Sequence, residues 1–276
     1  MSSGWAPRRL FLTVLPDADR DAVVTQSAEL ASLLGTEISG ILVEERELFL
    51  AAALPGTAEL GLVSRTARPI DAAALTAEIV RSLAATARAL ETGAKAAGCA
   101  ITLARERSST AEAFGGALPE DLLFFAGPPA RLDEPGVARA LLAAAERSAG
   151  LLLPGHRRAG HGPVIAVGGS TGQAGRMLPA LTRLAPEGTR VDMLVGGASG
   201  ADIATLAAQA AVFGPRLDIR ATGSPDVLLM AAFTAAAAQA RLLVVAADPA
   251  RLANGRRLRA LLRAAGCPVL LLGRES

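Results

Sequence analysis

The chain carries part of itself twice, at a fixed offset of 120 residues. Leu122-Leu123-Phe124-Phe125-Ala126-Gly127-Pro128-Pro129-Ala130-Arg131-Leu132 recurs as Leu242-Leu243-Val244-Val245-Ala246-Ala247-Asp248-Pro249-Ala250-Arg251-Leu252. Arg139-Ala140-Leu141-Leu142 recurs at the same offset as Arg259-Ala260-Leu261-Leu262, so 13 of the 24 positions from Leu122 to Ala145 are identical to their partners. Alanine and leucine are common in the chain, but Pro-Ala-Arg-Leu at a fixed offset is not explained by composition. A duplication on this scale makes each half a folding unit with its own core, and 276 residues suit two such units.

Within each half, short continuous apolar runs alternate with helix-period segments. Such runs are what burial on both faces of a parallel sheet produces. The first half reads as strands over Leu10–Leu15, Glu37–Val43, Ala100–Arg105, Asp121–Ala126 and Gly150–Leu153. Helices are expected over Asp19–Leu34, Asp71–Ala97 and Pro135–Arg147, the first stopped by Gly35. The second half repeats the pattern. Its strands are Pro163–Val167, Arg190–Val195, Leu217–Ala221, Arg241–Ala246 and Pro268–Leu272, and its helices are Gln173–Leu184, Ala201–Val212, Pro225–Gln239 and Gly255–Ala265. Strand and helix in alternation imply an α/β fold with right-handed crossovers. The boundary falls in Pro154–Pro163, rich in Gly, Pro, Arg and His, which gives units 1–155 and 156–276. Residues 44–70 are additional to the first half. Leu48, Phe49, Leu54, Leu60, Leu62 and Val63 make this insertion too apolar for a free loop, so it is expected to pack on the sheet edge or on the other half.

Composition excludes several classes. Hydrophobic residues make up 51%, which supports a large core, and with one Trp and no Tyr that core must be aliphatic. A net charge of +2 is too weak to argue for nucleic acid or an acidic membrane as partner. The most apolar stretch, Val227 to Ala238, falls short of the ~18 residues of a membrane span. The N-terminus lacks a signal-peptide pattern. Cys99 and Cys267 give no disulfide framework and read as small buried hydrophobes at strand starts. A cytoplasmic protein is expected.

The first strand, the helix ending Ala28-Glu29-Leu30-Ala31-Ser32-Leu33-Leu34-Gly35 and the following Glu37–Glu44 resemble the opening of universal stress protein domains. Cys267-Pro268-Val269-Leu270-Leu271-Leu272 is similar to the strand that closes such domains. The resemblance covers both halves. It implies two tandem Rossmann-like domains of the adenine nucleotide alpha hydrolase-like type, each a five-stranded parallel sheet with helices on both faces. It also implies pairing of the halves as a pseudo-dimer along the edges beginning at Cys267 and near Gly150, and a role in stress resistance or signalling through protein partners. A homodimer is compatible with it. ATP-binding members carry an Asp at the end of the first strand and a G-x2-G-x9-G-(S/T) loop after the fourth. Here Leu15 and Gly168 stand at the Asp positions. Gly127-Pro128-Pro129 lacks the glycine ladder, and in the second half only Gly255 survives, followed by Arg256. Backbone N–H groups cradle phosphate only where absent Cβ atoms permit close approach, so the expected cofactor is none, with ATP or another adenine nucleotide as the alternative.

Gly168-Gly169-Ser170-Thr171-Gly172 fits the G-x-S-x-G pattern of a nucleophile elbow, but that fold needs a His after the Ser and none follows His161. A non-enzymatic protein is expected. The same loop, with Gly196-Gly197-Ala198-Ser199-Gly200 and Gly223-Ser224, offers small residues at the carboxyl ends of strands, where open α/β sheets hold ligands. Gly169, Ser170, Thr171, Gly172, Gly197, Gly255 and Arg256 are therefore the candidate anion or nucleotide site, against the reading that they make turns and helix caps. His156 and His161 read as linker rather than metal ligands. Arg251, Arg256, Arg257, Arg259 and Arg263 read as a solvated helix face. Glu44, Glu45 and Glu47 read as solvent-facing, and Asp17 and Asp19 as caps of the first helix.

Overall fold

Alternate residues of the first strand, β1 (Arg9–Val14), are buried on opposite sides: Leu10, Leu12 and Val14 in one apolar layer, Phe11 in the other. Period-2 alternation with both faces apolar requires cover on both faces, and the rest of the chain supplies it. In the computed structural model, which describes residues 5–60, 65–155, 162–211, 216–223, 226–246 and 255–273, ten strands form one sheet. The expected elements appear as β2 (Glu37–Val43), β5 (Ile101–Glu106), β6 (Asp121–Ala126) and β7 (Gly150–Leu153), then β8 (Val164–Gly168), β9 (Val191–Gly196), β10 (Leu217–Thr222), β11 (Leu242–Ala246) and β12 (Val269–Leu272). The sheet order is β10-β9-β8-β11-β12-β7-β6-β1-β2-β5. Each half runs 3-2-1-4-5 and is parallel throughout.

The halves meet where β12 pairs antiparallel with β7. The expectation of two separate sheets is corrected here: the edges predicted to meet do so by main-chain hydrogen bonding, which fuses the sheets. Leu151 pairs with Leu271, Leu152 with Leu270 and Gly150 with Leu272. Leu151 and Leu271 are related by the same 120-residue offset as the repeat, and so are Gly150 with Leu270 and Leu152 with Leu272. The seam therefore carries a local two-fold axis through the Leu151–Leu271 pair. All eight seam residues, from β7 and β12, are buried.

Helices α1 (Arg20–Leu34), α3 (Ala72–Ala96), α6 (Thr171–Leu184) and α7 (Gly200–Gln209) bury their apolar stripes on one face of the sheet. The other face takes α4 (Thr110–Ala113), α5 (Pro135–Arg147), α8 (Val227–Ala237) and the helix Gly255–Ala265, here α9. Each apolar layer runs through both halves, so the two cores are divided by the sheet and not by the boundary between halves. Trp5 anchors the N-terminal segment, its Nε1 donating to Ala149 O at 2.9 Å. Arg9 Nε and Nη2 donate to the fully buried Asp121 carboxylate at 2.6 and 2.8 Å, tying β1 to β6.

The insertion packs at the sheet edge beside β5 through its first part, while its later part stays exposed. It forms α2 (Arg46–Ala53), lying beside α3, and a small antiparallel hairpin of β3 (Ala58–Leu60) and β4 (Ala67–Pro69). Leu48 and Phe49 are partly buried, and Phe49 lies under the Arg107 guanidinium at 4.3 Å. Leu50, Leu54 and Leu60 stay 60–64% exposed. Leu62 and Val63 lie outside the described residues, as do His156, His161, Ser224 and Arg251. No helix among the described residues is long and apolar enough to cross a membrane.

Candidate functional site

Because β7 and β12 are antiparallel, the carboxyl ends of the two halves' strands lie at opposite edges of the sheet. On the second half's edge, the structure brings Gly169–Gly172 and Gly197 together at the ends of the adjacent strands β8 and β9. A Cβ on Gly196 would sit 3.3 Å from Gly169 O, so these two loops touch. Gly168 is needed for packing, since a Cβ there would lie 2.9 Å from the Ala174 N of α6.

The chain already uses much of the hydrogen-bonding capacity of these loops. Gly169 N–H donates to Gln173 Oε1 at 2.8 Å, and Ser170 caps α6 by accepting from Gln173 N–H at 3.3 Å. Ser170 thus serves as an N-cap residue. Gly197 adopts φ +65°, and its N–H donates to Thr222 O at 3.1 Å. At α7, Ser199 and Asp202 form a reciprocal capping box, and at α8 the Asp226 carboxylate accepts from Leu229 N–H at 3.1 Å and from Arg257 at 3.0 Å. Backbone N–H groups hold both the Asp202 and Asp226 carboxyls below the usual carboxylate range, so both stay charged.

Gly255 and Arg256 are not drawn into this cluster. Gly255 opens α9 against the first half: a Cβ there would lie 1.8 Å from Leu132 O, in a 3-10 turn over Pro129–Asp133. Arg256 is exposed on the first turn of α9. Two arginines of the expected solvated face are engaged instead, Arg257 with Asp226 and Arg259 with Asp133.

On the opposite edge, the first half holds a cleft of about 240 Å³ between β1 and β6, lined by Asp17, Asp19, Val23, Gly127, Pro128 and Pro154 among others. The sequence signal for it was the pair of loops Leu15-Pro16-Asp17 and Gly127-Pro128-Pro129, brought together because β1 and β6 are neighbours. Asp19 caps α1 through Ala22 N–H, while Asp17 faces Arg131 at 3.6 Å. Leu15 is a buried core residue, and a Cβ on Gly127 would fall 2.8 Å from it and 2.5 Å from the Phe125 ring.

Glu44 and Glu45 are not solvent-facing. Both are buried, Glu44 between Arg105 and Arg107 and Glu45 against Arg131 and Thr110. Burial pushes the Glu45 carboxyl above its ordinary value, with Arg131 opposing. Glu47 is exposed. Cys267 is buried and Cys99 half-buried. Among the described residues no group of three or more His, Cys, Asp and Glu side chains is placed to hold a metal ion.

Neither family models nor curated proteins match the sequence. Solved structures do match in fold. A universal stress protein from Archaeoglobus fulgidus superposes with a TM-score of 0.67 at 10% identity, over 98% of each chain. A putative universal stress protein from Pseudomonas aeruginosa gives 0.56 at 15% identity, over 98% of this chain and 94% of that one. The cytoplasmic domain of a prokaryotic cation chloride cotransporter gives 0.55 at 15% identity, over 98% and 97%. The architecture is therefore the tandem universal stress protein fold from end to end, and the resemblance seen in the two strand-helix segments holds at the level of fold.

Proposed function

We propose that this chain is a universal stress protein-like regulator, cytoplasmic and non-enzymatic, that works through protein partners and has given up the ATP-binding mode. One observation carries the reading. The glycines that remain after the fourth strands are taken up by packing inside the chain: a Cβ on Gly127 would meet the Phe125 ring and Leu15, and one on Gly255 would meet Leu132 O. At three other helix starts the chain has placed its own carboxylates, Asp19 at α1, Asp202 at α7 and Asp226 at α8, which oppose an anion there. Leu15, buried at the position of the family's Asp, supports the same conclusion. Partner binding is supported by apolar surface left uncovered, Leu229 and Phe233 one turn apart on α8, with Leu50 on α2 and Leu54 just after it. The likeness to a cytoplasmic domain of a transport protein is consistent with such a role.

Calorimetric titration of the chain with ATP, ADP and cyclic nucleotides tests this. The expected result is no saturable heat. Saturable ATP binding that disappears in Gly172→Val would overturn it in favour of a second reading, a nucleotide- or phosphate-binding switch at α6. That reading draws on one feature: α6 has no acidic residue in its first turn, and open space surrounds Gly172.

A further inference from the structure

The first-half cleft between β1 and β6 has a lining that accepts hydrogen bonds and scarcely donates them. Its volume is about 240 Å³, room for roughly eight heavy atoms at ~30 Å³ each. Val23, Gly127 and Gly155 in its lining are buried, the three prolines half-buried, and Asp17 and Asp19 exposed. The apolar walls therefore lie inward and the two carboxylates stand at the mouth.

The donors that such a crevice would offer an anion are spent or missing. Pro128, Pro129 and Pro154 carry no N–H. The Ala18 N–H donates to Leu15 O at 3.2 Å, the Ala22 N–H to Asp19 Oδ1 at 3.1 Å and the Val23 N–H to Asp19 O at 2.9 Å. Among the described residues no Lys, Arg or His lines the cleft. Arg131 lies beyond the lining and is shared by three carboxylates. Its Nη2 donates to Glu45 and its Nη1 to Glu134 at 3.0 Å, while its Nε stands 3.6 Å from Asp17, too far for a hydrogen bond. Asp17 thus holds the weakest share of that cation and keeps its charge toward the cleft.

We propose that this cleft binds an aliphatic primary amine of about five carbons, the length its volume admits. The ammonium has three donors and no acceptor, which matches a mouth of carboxylates. It donates to Asp17 and Asp19, and the hydrocarbon lies on Val23 and the prolines. The charge is the inverse of a phosphate site: a nucleotide would meet neither a cation nor a free helix start here. The cleft and α6 lie at opposite edges of the sheet, so the proposal is independent of the switch reading at Gly172.

The test is calorimetric titration of the full chain with n-pentylamine, with 1-pentanol, which keeps the chain and drops the charge, and with valerate, which inverts it. Pentylamine should bind saturably, pentanol about fivefold or more weaker, and valerate without saturable heat. Asp17→Asn combined with Asp19→Asn removes both charges while asparagine still caps α1, so it should keep the parent melting temperature and bind pentylamine about fivefold or more weaker. Ala22→Leu fills the cleft and should abolish binding without lowering the melting temperature. Absence of saturable heat up to about 10 mM pentylamine overturns the proposal. So does equal binding of pentylamine and either analogue, or parent-like binding by the double variant or by Ala22→Leu.

Discussion

Gly255→Ala should destabilise the protein, against the usual sign for such a change. Alanine is the better helix former by up to about 1 kcal/mol, and Gly255 opens α9 with no positive φ to protect. But the new Cβ would lie 1.8 Å from Leu132 O, a backbone atom of the other half, and 3.0 Å from Ala138 Cβ. An ordinary carbon–oxygen contact is roughly 3.3 Å, so helix and turn must part by roughly 1.5 Å. Overpacking of this kind costs about 1–3 kcal/mol, which outweighs the gain in propensity and leaves a net loss of about 1–2 kcal/mol. The control is Gly136→Ala, in the first turn of the repeat-related helix α5. Nothing lies within 4 Å of its Cβ position. There the propensity term acts alone, and stability should rise by about 0.5–1 kcal/mol. Urea unfolding followed by circular dichroism gives both values. The single Trp5, hydrogen-bonded to Ala149, gives a second probe confined to the first half. If Gly255→Ala matched Gly136→Ala in sign, the docking of α9 on the Leu132 turn would be wrong.

Two further outcomes follow from buried groups. Burial pushes the Cys267 thiol up to about 11, so iodoacetamide near neutral pH should label the half-buried Cys99 well before Cys267; equal rates would refute the burial of the seam strand's entrance. The Glu45 carboxyl is raised by burial, so the folded chain holds that proton more tightly than the unfolded chain does. Its contribution is fully present below the unfolded value of 4.5 and is lost as pH rises through the folded one. Melting temperatures should therefore shift in favour of Glu45→Gln, relative to the parent, between pH 4.5 and neutrality, and a gap that stays constant or moves the other way would contradict it.

What the sequence made legible was everything encoded locally. Apolar runs located all ten strands of the sheet, and Asp19 and Gly35 marked the ends of α1, because caps and strand faces are short-range features. Glu44 and Glu45 were misread for the opposite reason. Their charge suggests solvent, but their partners Arg107 and Arg131 stand 63 and 86 residues away, and only the fold brings them near. The insertion was legible in part: Leu48 and Phe49 pack on the core as their composition suggests, yet Leu54, just after α2, and Leu60, on the hairpin, project outward. The first-half cleft needed the adjacency of β1 and β6, which follows from strand order and not from either loop alone.

The repeat was legible as well, but its geometric meaning was not. A duplicated β/α unit can stand as two domains with a mobile linker or as one body. The choice rests on four residues a side. Gly150 admits the β12 backbone, since a Cβ there would lie 2.7 Å from Leu271 O, and the leucines of both strands present apolar faces above and below. An antiparallel join has a consequence for function. It turns the carboxyl edges of the two halves away from each other, so no small ligand can bridge their equivalent loops, and coupling between halves must pass through the seam. Features that span the seam among the described residues include the β7–β12 ladder, the docking of α9 on the Leu132 turn with its Arg259–Asp133 pair, and the contact of α1 with α6. A ligand or partner that senses both halves at once must therefore act on this junction and not on the strand-end loops.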